Sequence, residues 1–243
     1  MIQMLSALFM ITAFSDQKIV LPWEFNRITL FNNQLYFASY TGSNIFFYHD
    51  DRLKTLTFTD DPLFVIDAFY FTPFFLYLTD GRKIVKYYLQ PALSETIYYG
   101  NSITGFCLLE SGDIVLLDRR PDRVLILDRQ YNPRISITDL PAKDITATAS
   151  NIFILAKTDV IITDHHLNVM HKVPIPEMMK RIIVAVDRMI IFTPGKRYIY
   201  SFDKTWHKVM FEDTIQDIAT DGDKLFILEG YGNTVRLYNL SDY

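Results

Sequence analysis

Short stretches in which apolar and polar residues alternate recur along the whole chain. Each unit begins with an apolar segment, passes through a polar turn, and ends in a second segment rich in Phe, Leu and Ile. Six such units match in length without a gap, at residues 27–39, 67–79, 106–118, 144–156, 181–193 and 217–229. Alternation with a period of two is typical of half-buried β-strands, and no unit shows sustained helical periodicity. The pattern predicts six similar β-hairpins and excludes a helical repeat.

The second strands of these hairpins begin at nearly constant intervals. They open at Leu35, Phe75, Ile114, Ile152, Met189 and Leu225, which are 40, 39, 38, 37 and 36 residues apart. A third strand follows in every unit, and a fourth follows in all units but the last. Four short strands in about 40 residues are typical of a β-propeller blade. We therefore predict an all-β, six-bladed β-propeller of four-stranded antiparallel blades, with Ile114, Ile152, Met189 and Leu225 buried between blades.

The sixth unit ends after its third strand, so its blade needs a strand from elsewhere. Residues 18–21, Lys-Ile-Val-Leu, precede the first unit and have the length of a strand. Pairing this segment with residues 234–239 would complete the blade and leave no open edge at the ring closure. We predict one propeller domain over residues 17–243 whose ring is closed by this N-terminal strand.

The first fifteen residues are apolar and carry no charge. The run is shorter than the about 20 residues that a membrane-spanning helix needs, so we predict no transmembrane helix. Its length suits a secretory signal, and Ala13-Phe14-Ser15 resembles a cleavage site, although no Lys or Arg precedes it. Two alternatives remain open. Residues 1–15 are a signal peptide of a periplasmic or extracellular protein, or an N-terminal extension packed on a cytoplasmic one.

Composition narrows the class of protein further. Of 243 residues 49% are hydrophobic, which excludes a disordered chain. The acids are 22 Asp and 6 Glu, a ratio that favours turns over helices. A net charge of −4 gives no attraction to nucleic acid, so we expect no nucleic-acid partner. The single Cys107 excludes an internal disulfide, and its apolar neighbours predict a buried thiol.

The third unit resembles the repeat of the NHL and gluconolactonase-like six-bladed propellers. The resemblance rests on Gly112-Asp113, the strand-ending Asp118 and Asp128, and Arg123-Val124. The sixth unit follows the same plan with Glu229 in place of the first strand-ending Asp. The resemblance implies the ring topology and says little about chemistry, because this fold carries many unrelated functions.

One position in each first strand is predicted to face the central channel. Charged side chains occupy this position in five units, namely Arg27, Asp67, Asp144, Arg181 and Asp217, and Phe106 occupies it in the third. This channel ring would form either a site for a polar ligand or ion, or a salt-bridged structural plug. A calcium-dependent lactonase would need about 6–8 converging oxygen ligands, and the two arginines oppose a bound cation. The sequence contains no catalytic motif and no metal-binding cluster, and we predict no cofactor.

The turns between the second and third strands carry a second set of candidate residues. They are Tyr40, Arg82, Lys83, Arg119, Arg120, Arg123, Lys196, Arg197 and Tyr231. Arg and Tyr are the residue types that anchor interfaces, and the cluster is basic on an acidic chain. The residues predict a non-catalytic binding or scaffold propeller that docks a protein or an acidic glycan on this face. The alternative is a lactonase-like hydrolase acting in the channel. The oligomeric state is left open.

Overall fold

The structure is a computed structural model, and it describes residues 10–12, 18–39, 42–49, 52–57, 64–89, 93–186 and 188–240. These residues contain 25 β-strands and no helix, so none of them forms a helix that could cross a membrane. The strands form six sheets arranged as the blades of a propeller. The predicted all-β fold with six four-stranded antiparallel blades is confirmed.

Blades 1, 2 and 3 are each built from four consecutive strands, ordered from the channel outward. Blade 1 contains β3 (Arg27–Phe31), β4 (Gln34–Ala38), β5 (Asn44–His49) and β6 (Arg52–Thr57). Blade 2 contains β7 (Ala68–Phe71), β8 (Phe75–Thr79), β9 (Lys83–Tyr88) and β10 (Leu93–Tyr99). Blade 3 contains β11 (Ile103–Leu108), β12 (Ile114–Arg119), β13 (Asp122–Leu127) and β14 (Pro133–Thr138).

Blades 4, 5 and 6 follow the same order, with additions from the N-terminal region. Blade 4 contains β15 (Asp144–Ala147), β16 (Ile152–Leu155), β17 (Asp159–Thr163) and β18 (Val169–Pro174). Blade 5 contains β19 (Arg181–Ala185), β20 (Arg188–Phe192), β21 (Tyr198–Phe202) and β22 (Trp206–Met210), with β1 (Met10–Thr12) parallel to β22 as a fifth strand. Blade 6 contains β23 (Ile215–Thr220), β24 (Lys224–Glu229), β25 (Thr234–Asn239) and β2 (Lys18–Val20).

The ring closes as the sequence predicts. Strand β2 pairs antiparallel with β25, with Lys18 opposite Arg236, Ile19 opposite Val235 and Val20 opposite Thr234. The outermost strand of the last blade therefore comes from the beginning of the chain. Residues 13–17 and 1–9 lie outside the described residues, so both interpretations of residues 1–15 stay predictions.

Six hydrophobic clusters fill the six junctions between neighbouring blades. Each cluster combines buried side chains from two adjacent sheets, as when Ile190 and Phe192 of blade 5 pack with Ile218 and Leu225 of blade 6. The four residues predicted to be buried between blades are 0–5% exposed, namely Ile114, Ile152, Met189 and Leu225. The core is therefore a ring of interfaces around the channel.

Aspartates and asparagines define many of the turns. Asp128 Oδ1 accepts the backbone N–H groups of Gln130 and Asn132, both at 2.9 Å. Asn32 and Asn33 adopt positive φ angles of 49° and 58° between β3 and β4, the conformation that a two-residue hairpin turn requires. The excess of Asp over Glu thus reflects turn formation.

Candidate functional site

The innermost strands β3, β7, β11, β15, β19 and β23 follow one another around a central channel. The channel contains a cavity of about 280 Å³ to which every one of these strands contributes. Four of the five charged residues predicted for the channel ring line this cavity, namely Arg27, Asp144, Arg181 and Asp217.

The two channel aspartates bind the backbone of the next blade. Asp144 Oδ2 accepts the N–H of Ile182 at 3.0 Å, and Asp217 Oδ2 accepts the N–H of Ile28 at 3.1 Å. Asp144 thereby joins blades 4 and 5, and Asp217 joins blade 6 to blade 1. Each carboxylate thus accepts a hydrogen bond from a buried backbone N–H group that has no partner within the β-sheets.

Arg181 lies between these two carboxylates. Its Nε is 3.4 Å from Asp144 Oδ2, and its Nη2 is 3.7 Å from Asp217 Oδ1. Burial raises the pKa of Asp144, and the charge of Arg181 and the Ile182 N–H counteract this shift only in part. Burial also raises the pKa of the nearby Cys107 thiol, which keeps it neutral and unreactive.

Asp67 stands apart from the other ring residues. It is exposed, and its carbonyl oxygen accepts a hydrogen bond from Arg27 Nε at 2.5 Å. The protein around its carboxyl group partly excludes water, which raises the pKa of that carboxyl against the opposing charge of Arg27.

In blade 3 a bulge between Ile103 and Gly105 shifts the register of β11 against β12. Gly105 consequently stands opposite Leu117.

Phe106, the apolar member of the channel ring, is buried and lines the channel cavity together with Gly105. A Cβ atom added to Gly105 would lie 3.0 Å from Asp144 Oδ1. The backbone of blade 3 therefore approaches this carboxylate closely. Together the contacts of the ring tie neighbouring blades to one another around the channel.

The basic residues of the second-to-third-strand turns fall into two groups. Five of them are exposed, namely Arg82, Arg119, Arg120, Lys196 and Arg197. Because strand directions alternate, these turns share one face of the ring, which we call the turn face. Tyr231 lies there too, 80% exposed, whereas Tyr40 is outside the described residues. Lys83 is half-buried, with Nζ 5.5 Å from the centre of the Phe64 ring.

Arg123 belongs to the second group, because its side chain is engaged inside the fold. Its Nη2 is 3.1 Å from Asp118 Oδ2 and donates to the Tyr98 hydroxyl at 2.9 Å. Asp118 is buried and also accepts the N–H of Ser102 at 3.0 Å. Arg123 thus joins blade 3 to the outer strand of blade 2, and the structure places it beneath the turn face.

A pocket that the sequence did not indicate lies where blade 6 meets blade 1. It has a volume of about 740 Å³ and includes residues from the β2–β3 connection, from β5 and from the β24–β25 turn. We call it the seam pocket, defined by Trp23, Glu24, Phe46, Asn44, Gln216 and Tyr231. This pocket was not among the predicted sites; the available signal was Trp23, a large aromatic residue three positions after the end of β2.

Within the described part of the chain, no three His, Cys, Asp or Glu side chains are grouped so that they could hold a metal ion. Asp144 and Asp217 are separated by a guanidinium group rather than by an open position. The ion pairs of Arg181 with Asp144 and Asp217 therefore help to hold blades 4, 5 and 6 together around the channel.

Comparisons with known proteins extend this description at the level of the fold. No protein-family model and no curated protein matches the chain. A streptogramin B lyase structure is similar with a TM-score of 0.68 and 14% identity, over 92% of this chain and 86% of that chain.

Two further solved structures have similar likeness. A chain of a mitotic checkpoint complex has a TM-score of 0.70 and 10% identity, over 94% of this chain and 92% of that one. A chain of a nidogen–laminin complex has a TM-score of 0.64 and 15% identity, over 86% and 89%. At such identities the likeness shows the fold, and the chain is a six-bladed β-propeller.

Proposed function

We propose that this chain is a non-catalytic binding propeller that docks an acidic partner, a protein or a glycan, on its turn face. The observation that carries the proposal is the contrast between two sets of charged residues. In the channel, Asp144, Arg181 and Asp217 bind one another and the backbone. On the turn face, arginine and lysine side chains extend into solvent.

The five exposed basic residues of the turn face suit an acidic surface. None of them forms an ion pair with another described residue, although the chain as a whole has a net charge of −4. Arginine binds carboxylate and sulfate groups with two parallel hydrogen bonds, which lysine cannot do. Arg119 and Arg120 lie in one turn, and Arg82 lies in the turn of the preceding blade, so a single partner can contact all three.

The alternative function, a lactonase-like hydrolase, needs channel carboxylates that can bind a cation or move a proton. Asp144 and Asp217 each accept a backbone N–H and face the same guanidinium group of Arg181. The similar solved structures include a lyase and a chain from a protein complex. The fold therefore favours neither function. The contacts of Asp144 and Asp217 favour the binding function, because both carboxylates are already engaged.

Retention on immobilised heparin and on immobilised polyglutamate tests the proposal. The triple variant Arg82→Ser, Arg119→Ser, Arg120→Ser should elute from at least one matrix at clearly lower salt than the wild type. The matched control is Lys172→Ser, Lys204→Ser, Lys224→Ser, which removes the same charge from exposed positions away from this turn face. Equal elution of the two triple variants, or no retention of the wild type on either matrix, would contradict the proposal.

A further inference from the structure

The seam pocket is built on a hydrogen-bonded connection between the closing strand and blade 1. The N–H of Leu21 donates to the Asn233 carbonyl at 2.8 Å, and the N–H of Phe25 donates to the Gly232 carbonyl at 2.8 Å. These two bonds tie residues 21–25 to the β24–β25 turn. The pocket is therefore held by backbone contacts on either side of Trp23.

Large aromatic rings line this pocket and remain exposed. Trp23 is 56% exposed, and Tyr231 is 80% exposed. The Trp23 ring lies 5.5 Å from that of Phe46, which in turn lies 5.2 Å from the buried Phe25 ring. Clustered exposed aromatic side chains often mark recognition sites, and the contact with Phe46 restricts the Trp23 ring.

The polar groups of the pocket are mostly uncharged. Asn44 Oδ1 is buried and has no hydrogen-bond partner in the structure. Gln216 Nε2 donates to the Gly230 carbonyl at 2.7 Å, which fixes the orientation of that amide. An unpartnered buried acceptor lowers stability until a donor reaches it. Because Asn44 lines the pocket, rotation of its side chain toward the pocket would present this acceptor to a ligand hydroxyl or amine.

The charge of the lining narrows the class of ligand. Among the described residues that line the pocket, Glu24 is the only charged one. Its carboxylate repels phosphate, sulfate and carboxylate groups, which carry the same charge. The ligand class that remains combines an apolar face for stacking with several neutral hydrogen-bonding groups.

We propose that the seam pocket binds a neutral saccharide. One face of a pyranose ring presents C–H groups that stack on an aromatic ring such as Trp23 or Tyr231, and its hydroxyls both donate and accept hydrogen bonds. A hydroxyl donating to Asn44 Oδ1 satisfies the orphan acceptor. The volume of about 740 Å³ lies in the range of small-ligand pockets and holds a short oligosaccharide. This inference goes beyond the proposed function, because the seam pocket contains none of the basic residues Arg82, Arg119 and Arg120.

Fluorescence of Trp23 provides a direct measurement. The chain has two tryptophans, and Trp206 lies on β22, the fourth strand of blade 5, so Trp206→Phe leaves Trp23 as the sole reporter. Maltotriose, cellotriose and chitotriose are the probes, with trigalacturonic acid as the charged comparison. At least one neutral trisaccharide should change the Trp23 emission in a saturable way, and trigalacturonic acid should bind more weakly.

Substitutions locate the binding. Tyr231→Ala and Asn44→Ala should each weaken the titration by about tenfold, the loss of one good contact. Tyr99→Ala is the matched control, since Tyr99 is 74% exposed on the outer strand of blade 2 and should leave the affinity unchanged. Isothermal titration calorimetry of the same variants in the Trp206→Phe background supplies a second measurement.

The outcomes separate this inference from the proposed function. Three results would overturn the saccharide site. They are no saturable response to any neutral trisaccharide, a loss of affinity in Tyr99→Ala equal to that in Tyr231→Ala, and a response only to tetramethylammonium, a cation that binds aromatic rings. The turn-face triple variant should keep its saccharide affinity, because Arg82, Arg119 and Arg120 do not line the seam pocket. Salt-dependent retention on polyanions can therefore fail or succeed independently of the Trp23 titration.

Discussion

Arg123 Nη2 lies 3.1 Å from Oδ2 of the buried Asp118, at the junction between blades 2 and 3. The same guanidinium group donates to Tyr98 of blade 2, and the same carboxylate accepts the N–H of Ser102. One ion pair thus connects two strands of blade 3, the outer strand of blade 2 and the connection between the blades. Its neighbours in sequence, Arg119 and Arg120, are exposed.

We expect Arg123→Ser to lower the free energy of unfolding by about 1–3 kcal/mol, because it leaves the Asp118 carboxylate buried with one donor fewer. Arg119→Ser is the control within the same hairpin, and an exposed substitution should change stability by no more than about 0.5 kcal/mol. Urea denaturation of both variants measures the difference. Equal stabilities would show that the ion pair does not hold the two blades together.

The ring closure predicts a large effect of a small truncation. Deleting residues 1–21 removes β2 and the buried Leu21, and exposes the edge of β25. We expect this deletion to lower the free energy of unfolding by at least about 3 kcal/mol relative to a deletion of residues 1–15. The shorter deletion retains β2 and also lacks β1, so the comparison isolates the closing strand. Identical melting temperatures of the two truncated chains would exclude the closure.

Two glycines with nearly the same positive φ angle provide a test of the seam pocket. Gly195 has φ of 85° and open space around its Cα, whereas Gly232 has φ of 86° and lies against the Phe25 backbone. A Cβ atom at Gly232 would lie 1.8 Å from the Phe25 carbonyl oxygen.

Gly195→Ala should cost about 1 kcal/mol, the penalty of the left-handed conformation. Gly232→Ala should cost clearly more and should also reduce saccharide binding, since it displaces residues 22–25. Thermal denaturation measures the first effect and the Trp23 titration the second. If both variants lost the same stability, the close approach of Phe25 to Gly232 would be wrong.

The buried Asp144 predicts a pH dependence. Burial raises its pKa above the ordinary value of 3.8, so between 3.8 and the higher native value the folded protein holds a proton that the unfolded chain releases. This group's contribution to stability therefore falls as the pH rises through that window. The stability of the wild type relative to Asp144→Asn should consequently decrease between pH 3 and pH 7.

Urea titrations at intermediate pH values follow this change, and Glu110→Gln serves as the exposed control. A relative stability that instead rises with pH would mean that the attraction to Arg181 exceeds the cost of burial.

The sequence by itself determined the number of blades, the length of the strands and the closing strand. These features follow from local alternation of apolar residues and from their spacing, because each blade repeats the same pattern of buried positions. The burial of Ile114, Ile152, Met189 and Leu225 follows from the same periodicity. The frequent Asp residues indicated turns because their side chains bond to nearby backbone amides.

Only the tertiary structure decided which charged residues face solvent. Arg119 and Arg123 lie four positions apart, but Arg123 meets Tyr98 of another blade, a contact that spacing along the chain does not reveal. The bulge that places Gly105 opposite Leu117 and leaves Thr104 without a register partner depends on strand pairing in the folded blade.

The seam pocket depends in the same way on residues far apart in sequence. Trp23 and Tyr231 come together because the chain returns to its beginning to close the ring. Local patterns determine strands, since strand formation depends on neighbouring side chains. Sites built from several blades depend on side-chain positions across blade junctions, which only the tertiary structure specifies.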